Sequence, residues 1–189
     1  MKKLLLFCAV ALCTSCNMRQ QNIDENSRIE KPEEAYNPES KLEDLDIILK
    51  VPGTPVANYV HAVRTGNLLF LAGKGPKKSD GKNIVGKLGA ELTVEEGYEA
   101  ARIAGINQLG VLKAELGDLK KVKRIIKVKG MVNAIPDFKD HSKVINGYSD
   151  LIVAVFGDKG KHARAAVGMG SLPGNMAVEI EMIVEIYED

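Results

Sequence analysis

Few side chains in this 189-residue sequence are of a type and spacing that could do chemistry, and most fail on spacing. The run Ala72-Gly73-Lys74-Gly75-Pro76 lacks the G-x-x-x-x-G-K-[ST] order of a phosphate loop, and no helix begins beside it, so it reads as a turn. His61, His141 and His162 are scattered, with no pair at i, i+4 and no matching carboxylates, so they read as surface residues and no metal site is expected. Cys8, Cys13 and Cys16 all lie in the first sixteen residues, which leaves the rest of the chain without a thiol nucleophile, a disulfide framework or a thiolate metal site. No Ser/His/Asp order stands out. The lysines between Lys120 and Lys129 are interrupted by apolar residues and balanced by acids elsewhere, the pattern of a solvated strand face. What remains is the segment from His162 to Glu179, in which Arg164 opens a β-like stretch. A planar guanidinium makes two parallel charge-assisted hydrogen bonds to a carboxylate, which fixes the ligand's orientation as well as its charge.

The frame around Arg164 is that of one domain with a leader. With 45% hydrophobic residues, 27% charged residues and a formal net charge of +1, the composition is globular and carries no field that would draw nucleic acid. Lys2 and Lys3 precede the apolar stretch Leu4 to Leu12, the layout of a secretory signal peptide and too short for a membrane span. That stretch runs into Leu12-Cys13-Thr14-Ser15-Cys16, which resembles a bacterial lipobox, with Cys13 where Leu is usual. The expectation is a signal peptide over 1–16, lipid on Cys16, and an exported lipoprotein of the cell envelope held to a membrane through its N-terminus. Residues 17–38 are polar and Pro-punctuated and read as a flexible tether, with a reach on the order of 25 Å. The domain is expected over 39–189.

Within it, Ser40 to Leu45 reads as a short helical turn. Tyr59 to Arg64 and Leu68 to Ala72 flank Thr65-Gly66-Asn67 as a hairpin. Thr93-Val94-Glu95-Glu96 is a capping box that opens a helix ending at Gly117, with Tyr98, Ala101, Ile103, Ile106, Leu109, Leu112 and Leu116 on its apolar face. Val122 to Val132 reads as a strand. Ile135-Pro136-Asp137 opens a second helix, locally weak at Gly147, that presents Phe138, Ile145, Ile152, Val155 and Phe156 to a core and closes at Gly157. Arg164 to Met169 and Met176 to Ile186 are the last strands. The order β-β-α-β-α-β-β predicts an α+β fold with two helices on one face of a mixed sheet, whose other face needs a cover that oligomerisation would supply.

The segment from His162 to Glu179, with Arg164 opening a strand, Leu172-Pro173 at a turn and Glu179 in the next strand, resembles the C-terminal signature of the reactive intermediate deaminase family (Rid, or YjgF), whose fold is chorismate-mutase-like. Pro55 to Val63 resembles that family's G-P-Y-S-Q-A segment, and Gly66 to Gly73 its G-N-L-L-F-x-S-G segment. Asp118 to Val122 and Asp137-Phe138 match as well, so the resemblance spans roughly 39–189. It implies a homotrimer with a small cleft between each pair of subunits. There Arg164 would hold the carboxylate of an enamine or imine acid, Glu179 would act on the attacking water, Tyr59 would line the cleft and Asn146 would stand at the family's helix Asn. The interval from Phe138 to Asn146 is longer than usual. Ala166 replaces a Cys common beside the Arg, and Val60-His61 replaces Ser-Gln, which marks a divergent subgroup.

Two functions stay open. One is a hydrolytic deaminase of 2-aminoacrylate-type enamine and imine acids, like a 2-iminobutanoate/2-iminopropanoate deaminase, releasing ammonia and a 2-keto acid without a cofactor. The other is a non-catalytic envelope module that binds a small carboxylate-bearing metabolite in the same clefts, favoured by the leader and by Ala166. Older members of the family were described as ribonucleases or translation inhibitors, a reading that the near-neutral charge and the lack of an acid/base His pair disfavour.

Overall fold

Two strands joined by a glycine turn open the sheet. The computed structural model describes residues 36–188, so the leader, Cys16 and the tether up to residue 35 lie outside the described residues. β1 (Ala62–Thr65) and β2 (Leu68–Lys74) pair antiparallel from Ala62↔Leu71 to Thr65↔Leu68. Gly66 takes the positive φ of 56° that so short a connection requires. β1 starts at Ala62 rather than Tyr59, because Tyr59 turns its amide to the carbonyl of Ala57 instead of a ladder partner.

Three helices follow the expected order; α2 keeps both expected ends, whereas α1 and α3 start elsewhere than expected. In α1 (Pro38–Asp44) the Asn37 side chain accepts from the Glu39 amide, and just upstream the Tyr36 hydroxyl donates to the carbonyl of Ala154. Folded structure therefore already includes Tyr36 and Asn37, which the tether was expected to contain. α2 (Val94–Leu116) opens on the Thr93/Glu96 capping box with both reciprocal bonds made. α3 (His141–Phe156) begins six residues beyond Ile135. The Ile135 amide is bonded to the Leu88 carbonyl and the Phe138 amide to the Ile135 carbonyl, so Pro136 sits in a turn rather than at a helix start.

β3 (Val122–Asn133), β4 (Ala163–Met169) and β5 (Val178–Ile186) complete a sheet of order β1-β2-β5-β3-β4. Only β3 and β4 run parallel, joined through α3; the other pairings are antiparallel. Val128, Val132, Ile180, Met182 and Val184 form one side of the core, against Leu109, Leu112, Ile145 and Ile152 of the helices.

The buried stripe of α2 includes Ala101, Leu109 and Leu112 as expected but is wider than the expected one. Ala100, Ala104, Gln108 and Val111 are fully buried, whereas Ile103, Ile106 and Leu116 are only partly covered. Large apolar residues set the apparent phase of the sequence, but the closest contacts use small ones. A Cβ at Gly105 would press on Leu151, and one at Gly147 of α3 would overlap the backbone carbonyl of Tyr98. Gly147 is thus where the two helix backbones approach, which accounts for a glycine in the interior of α3.

Both helices cover one face of the sheet. The other carries Val63, Phe70 and Ile183 in one cross-strand row with Lys127, and Glu179, Met131 and Val167 in another. Val63 is 57% exposed, Phe70 42% and Val167 39%.

Candidate functional site

Arg164 and Glu179 leave the sheet on opposite faces. Arg164 pairs with Val128, whose side chain is buried under the helices, and its own side chain reaches α3. Glu179 pairs with Met131, in the row with Val167 on the uncovered face. Their strands are separated by β3, about 10 Å across the sheet. Within one chain the structure therefore does not bring the expected carboxylate anchor and the expected base together.

Around Arg164 the geometry is specific. Nη1 donates to Asn146 Oδ1 at 2.8 Å and to Ser149 Oγ at 3.0 Å. Asn146 and Ser149 stand three residues apart on α3 and so share one helix face. The chain of contacts continues to His162, whose Nδ1–H donates to the Gly160 carbonyl at 2.7 Å. The Ser149 hydroxyl can then donate to His162 Nε2 at 3.1 Å while accepting from Arg164. Burial lowers the pKa of His162 and the nearby Arg164 charge lowers it further, against a raising bond from Gly160. A neutral imidazole suits this acceptor role. No described carboxylate lies within ion-pair distance of Arg164. Its guanidinium is fixed by neutral oxygens through one nitrogen, with its charge uncompensated.

Asn146, expected only from the resemblance, is thus a direct partner of Arg164. Ser149 was not singled out, and His162, expected at the surface, is half-buried. The available signals were the i, i+3 spacing of Asn146 and Ser149 and the His162-Ala163-Arg164 triplet.

Glu179 sits in a narrower setting. A Cβ on Gly73 would overlap its carboxylate, so the glycine is what leaves room for it. Partial burial raises its carboxyl pKa from the ordinary value, Glu181 raises it further, and Lys129 pulls the other way. Such a carboxyl exchanges protons nearer neutrality than a free one.

Tyr59 belongs to neither cluster. It is 48% exposed, lies edge-on to His61 with centroids 6.5 Å apart, and stands at the wall of a cavity of about 950 Å³ beside the β1 edge of the sheet. Arg164 lies on β4, the opposite edge. Ala166 packs against the core next to Arg164 on the helix side and offers no functional group. Among the described residues there is no group of three or more His, Cys, Asp or Glu side chains that could hold a metal ion, and no helix is long and apolar enough to cross a membrane.

The model of the YjgF/chorismate mutase-like family, whose description also names an endoribonuclease, matches residues 39–186. Protein TCP17 of Trypanosoma cruzi is 44% identical over 148 residues, covering 78% of this chain and 92% of that protein. The crystal structure of Atu1372 from Agrobacterium tumefaciens is 44% identical with a TM-score of 0.73, covering 79% of this chain and 94% of that one. RidA from the Antarctic bacterium Psychrobacter sp. PAMC 21119 is 25% identical with a TM-score of 0.50, covering 72% and 94% respectively.

Proposed function

The chain belongs to the YjgF/chorismate mutase-like family, and from that premise we propose that it is a hydrolytic deaminase of small enamine and imine acids. The observation that carries this reading is the state of Arg164, a positioned guanidinium whose positive charge no described carboxylate neutralises. A ligand carboxylate would dock on its open fork, oriented by two parallel bonds. Water then adds to the C=N carbon of the imine, and the carbinolamine collapses, breaking C–N to give a 2-keto acid and ammonia. Glu179 accepts a proton of the attacking water and passes it to the imine nitrogen, then carries the carbinolamine hydroxyl proton to the same nitrogen as C–N breaks, a role its raised pKa favours. The near-neutral formal charge of +1 favours this reading over a nuclease. In this reading the chain acts at the cell envelope, tethered through a lipidated Cys16.

The reading requires assembly. Arg164 and Tyr59 lie at opposite edges of the sheet, and Glu179 on its uncovered face, so a complete cleft takes its parts from adjacent copies. Contact between two different patches of identical chains closes into a ring when the rotation permits. Val63, Phe70 and Val167 supply apolar surface for such a contact. Light scattering on the chain lacking residues 1–16 is expected to report three subunits; a monomer at micromolar concentration would remove the clefts and the proposal with them.

Activity is tested by generating 2-iminopropanoate in situ and following keto-acid release. The wild-type chain should accelerate release over the spontaneous rate. Because Glu179 must be ionised to take a proton, activity should fall as pH drops through its raised pKa, an acid limb above the ordinary 4.5 that Glu179→Gln would abolish together with most of the rate. Saturable binding of pyruvate without acceleration would instead identify a carboxylate-binding module.

A further inference from the structure

The cavity beside the β1 edge shares Tyr59 with the proposed cleft but has, within one chain, a cationic lining of its own. It lies between residues 45–54, the loop 74–83 and α2, and its volume of about 950 Å³ falls at the upper end of the range for small-molecule sites. Lys50, Lys74, Lys77, Lys78 and Arg102 stand on its walls against the acids Asp46 and Glu99, so the lining is cationic. Ile103 and Ile106 of α2 supply an apolar floor.

Lys74 is the centre of this arrangement. Its ammonium donates to His61 Nδ1 at 2.7 Å, and His61 Nε2–H donates to the Gly53 carbonyl at 2.6 Å, a two-bond chain that fixes the imidazole tautomer and holds the lysine in place. No described carboxylate is within ion-pair distance of Lys74, and burial lowers its pKa. A half-buried cation lacking an anionic partner, in a cavity of matching sign, is stabilised by a ligand that brings the missing charge. Lys50 ties the 45–54 segment to the loop by donating to the Ser79 carbonyl, so the walls are preformed.

We propose that this cavity binds a small organic oxyanion, with a carboxylate or phosphate head on Lys74 and an apolar body along Ile103 and Ile106. Calorimetric titration of the full chain with phenyl phosphate, 3-phenylpropionate and inorganic phosphate tests this. At least one of the two aryl probes should bind saturably, and the tighter one identifies the head. Lys74→Met should weaken it roughly tenfold or more, as loss of a hydrogen bond to a charged group implies. Arg164→Ala should weaken it less than Lys74→Met does. Absence of saturable binding by both aryl probes, equal affinity in Lys74→Met, equal affinity for inorganic phosphate, or equal weakening by Arg164→Ala would each overturn the proposal. Should Lys74→Met not fold, the wild-type His61 ring resonances must shift on adding the tighter aryl probe; unmoved resonances would overturn it as well.

Discussion

Arg164→Ala is expected to reduce kcat/KM for in situ generated 2-iminopropanoate by roughly 10²- to 10⁴-fold while leaving the fold intact. The magnitude follows from two lost bonds to a charged group at about 1.5–3 kcal/mol each, converted at about 1.4 kcal/mol per tenfold. The fold should survive because the side chain is only partly buried and bonds only to neutral oxygens of Asn146 and Ser149. Arg164→Lys keeps the charge but not the fork, so it should recover only part of the loss. Asn146→Ala acts one step further out, freeing the guanidinium to rotate, and should raise KM more than it lowers kcat. Circular dichroism on each variant separates lost chemistry from lost structure. A wild-type rate in Arg164→Ala would sink the deaminase mechanism.

The largest stability effect is expected at Gly147. By helix propensity alone, Gly147→Ala should stabilise α3 by about 1 kcal/mol. Packing predicts the opposite sign, because the new methyl would overlap the backbone carbonyl of Tyr98, which has no rotamer to escape into. The helices must then separate, emptying contacts along their shared seam around Leu151 and Tyr148. Overpacking of this kind costs about 1–3 kcal/mol and occasionally more, so a net loss of roughly 2 kcal/mol is expected. At roughly 2–4 °C per kcal/mol for a domain of this size, that lowers the thermal midpoint by about 4–8 °C. A midpoint at or above wild type, measured at one protein concentration, would mean that the helices can part without penalty.

These two cases also show what was legible in the sequence. Element order followed from signals that act over a few residues: the Gly66 turn, the Thr93/Glu96 box, and the alternation of Val178, Ile180, Met182 and Val184 along β5. The apolar face of α2 was legible at Ala101, Leu109 and Leu112 but not at Ala100, Ala104 and Gln108, and Gly147 reads in the sequence only as a weak point. Both depend on how closely a second helix approaches, and no local pattern encodes that distance. The start of α3 was misplaced because Ile135 and Phe138 bond to Leu88 and within a turn. At the site, Arg164 stood out through its place in the Arg164, Leu172-Pro173 and Glu179 pattern on which the family resemblance rests, and Asn146 is its partner despite the lengthened interval. Ser149, His162 and Gly73 were silent, since a hydroxyl donor chain and a missing Cβ acquire meaning only once strands and helix are assembled. That Arg164 and Glu179 face apart was likewise invisible, because their separation by β3 depends on strand order rather than on spacing.

That opposed placement also bears on genetics. If each cleft draws its guanidinium from one copy and its carboxyl from the next, a chain lacking Arg164 and a chain lacking Glu179, each inert alone, would restore some working clefts when co-assembled. The unit of inheritance for this activity would then be the ring rather than the polypeptide, and two defective alleles could complement one another.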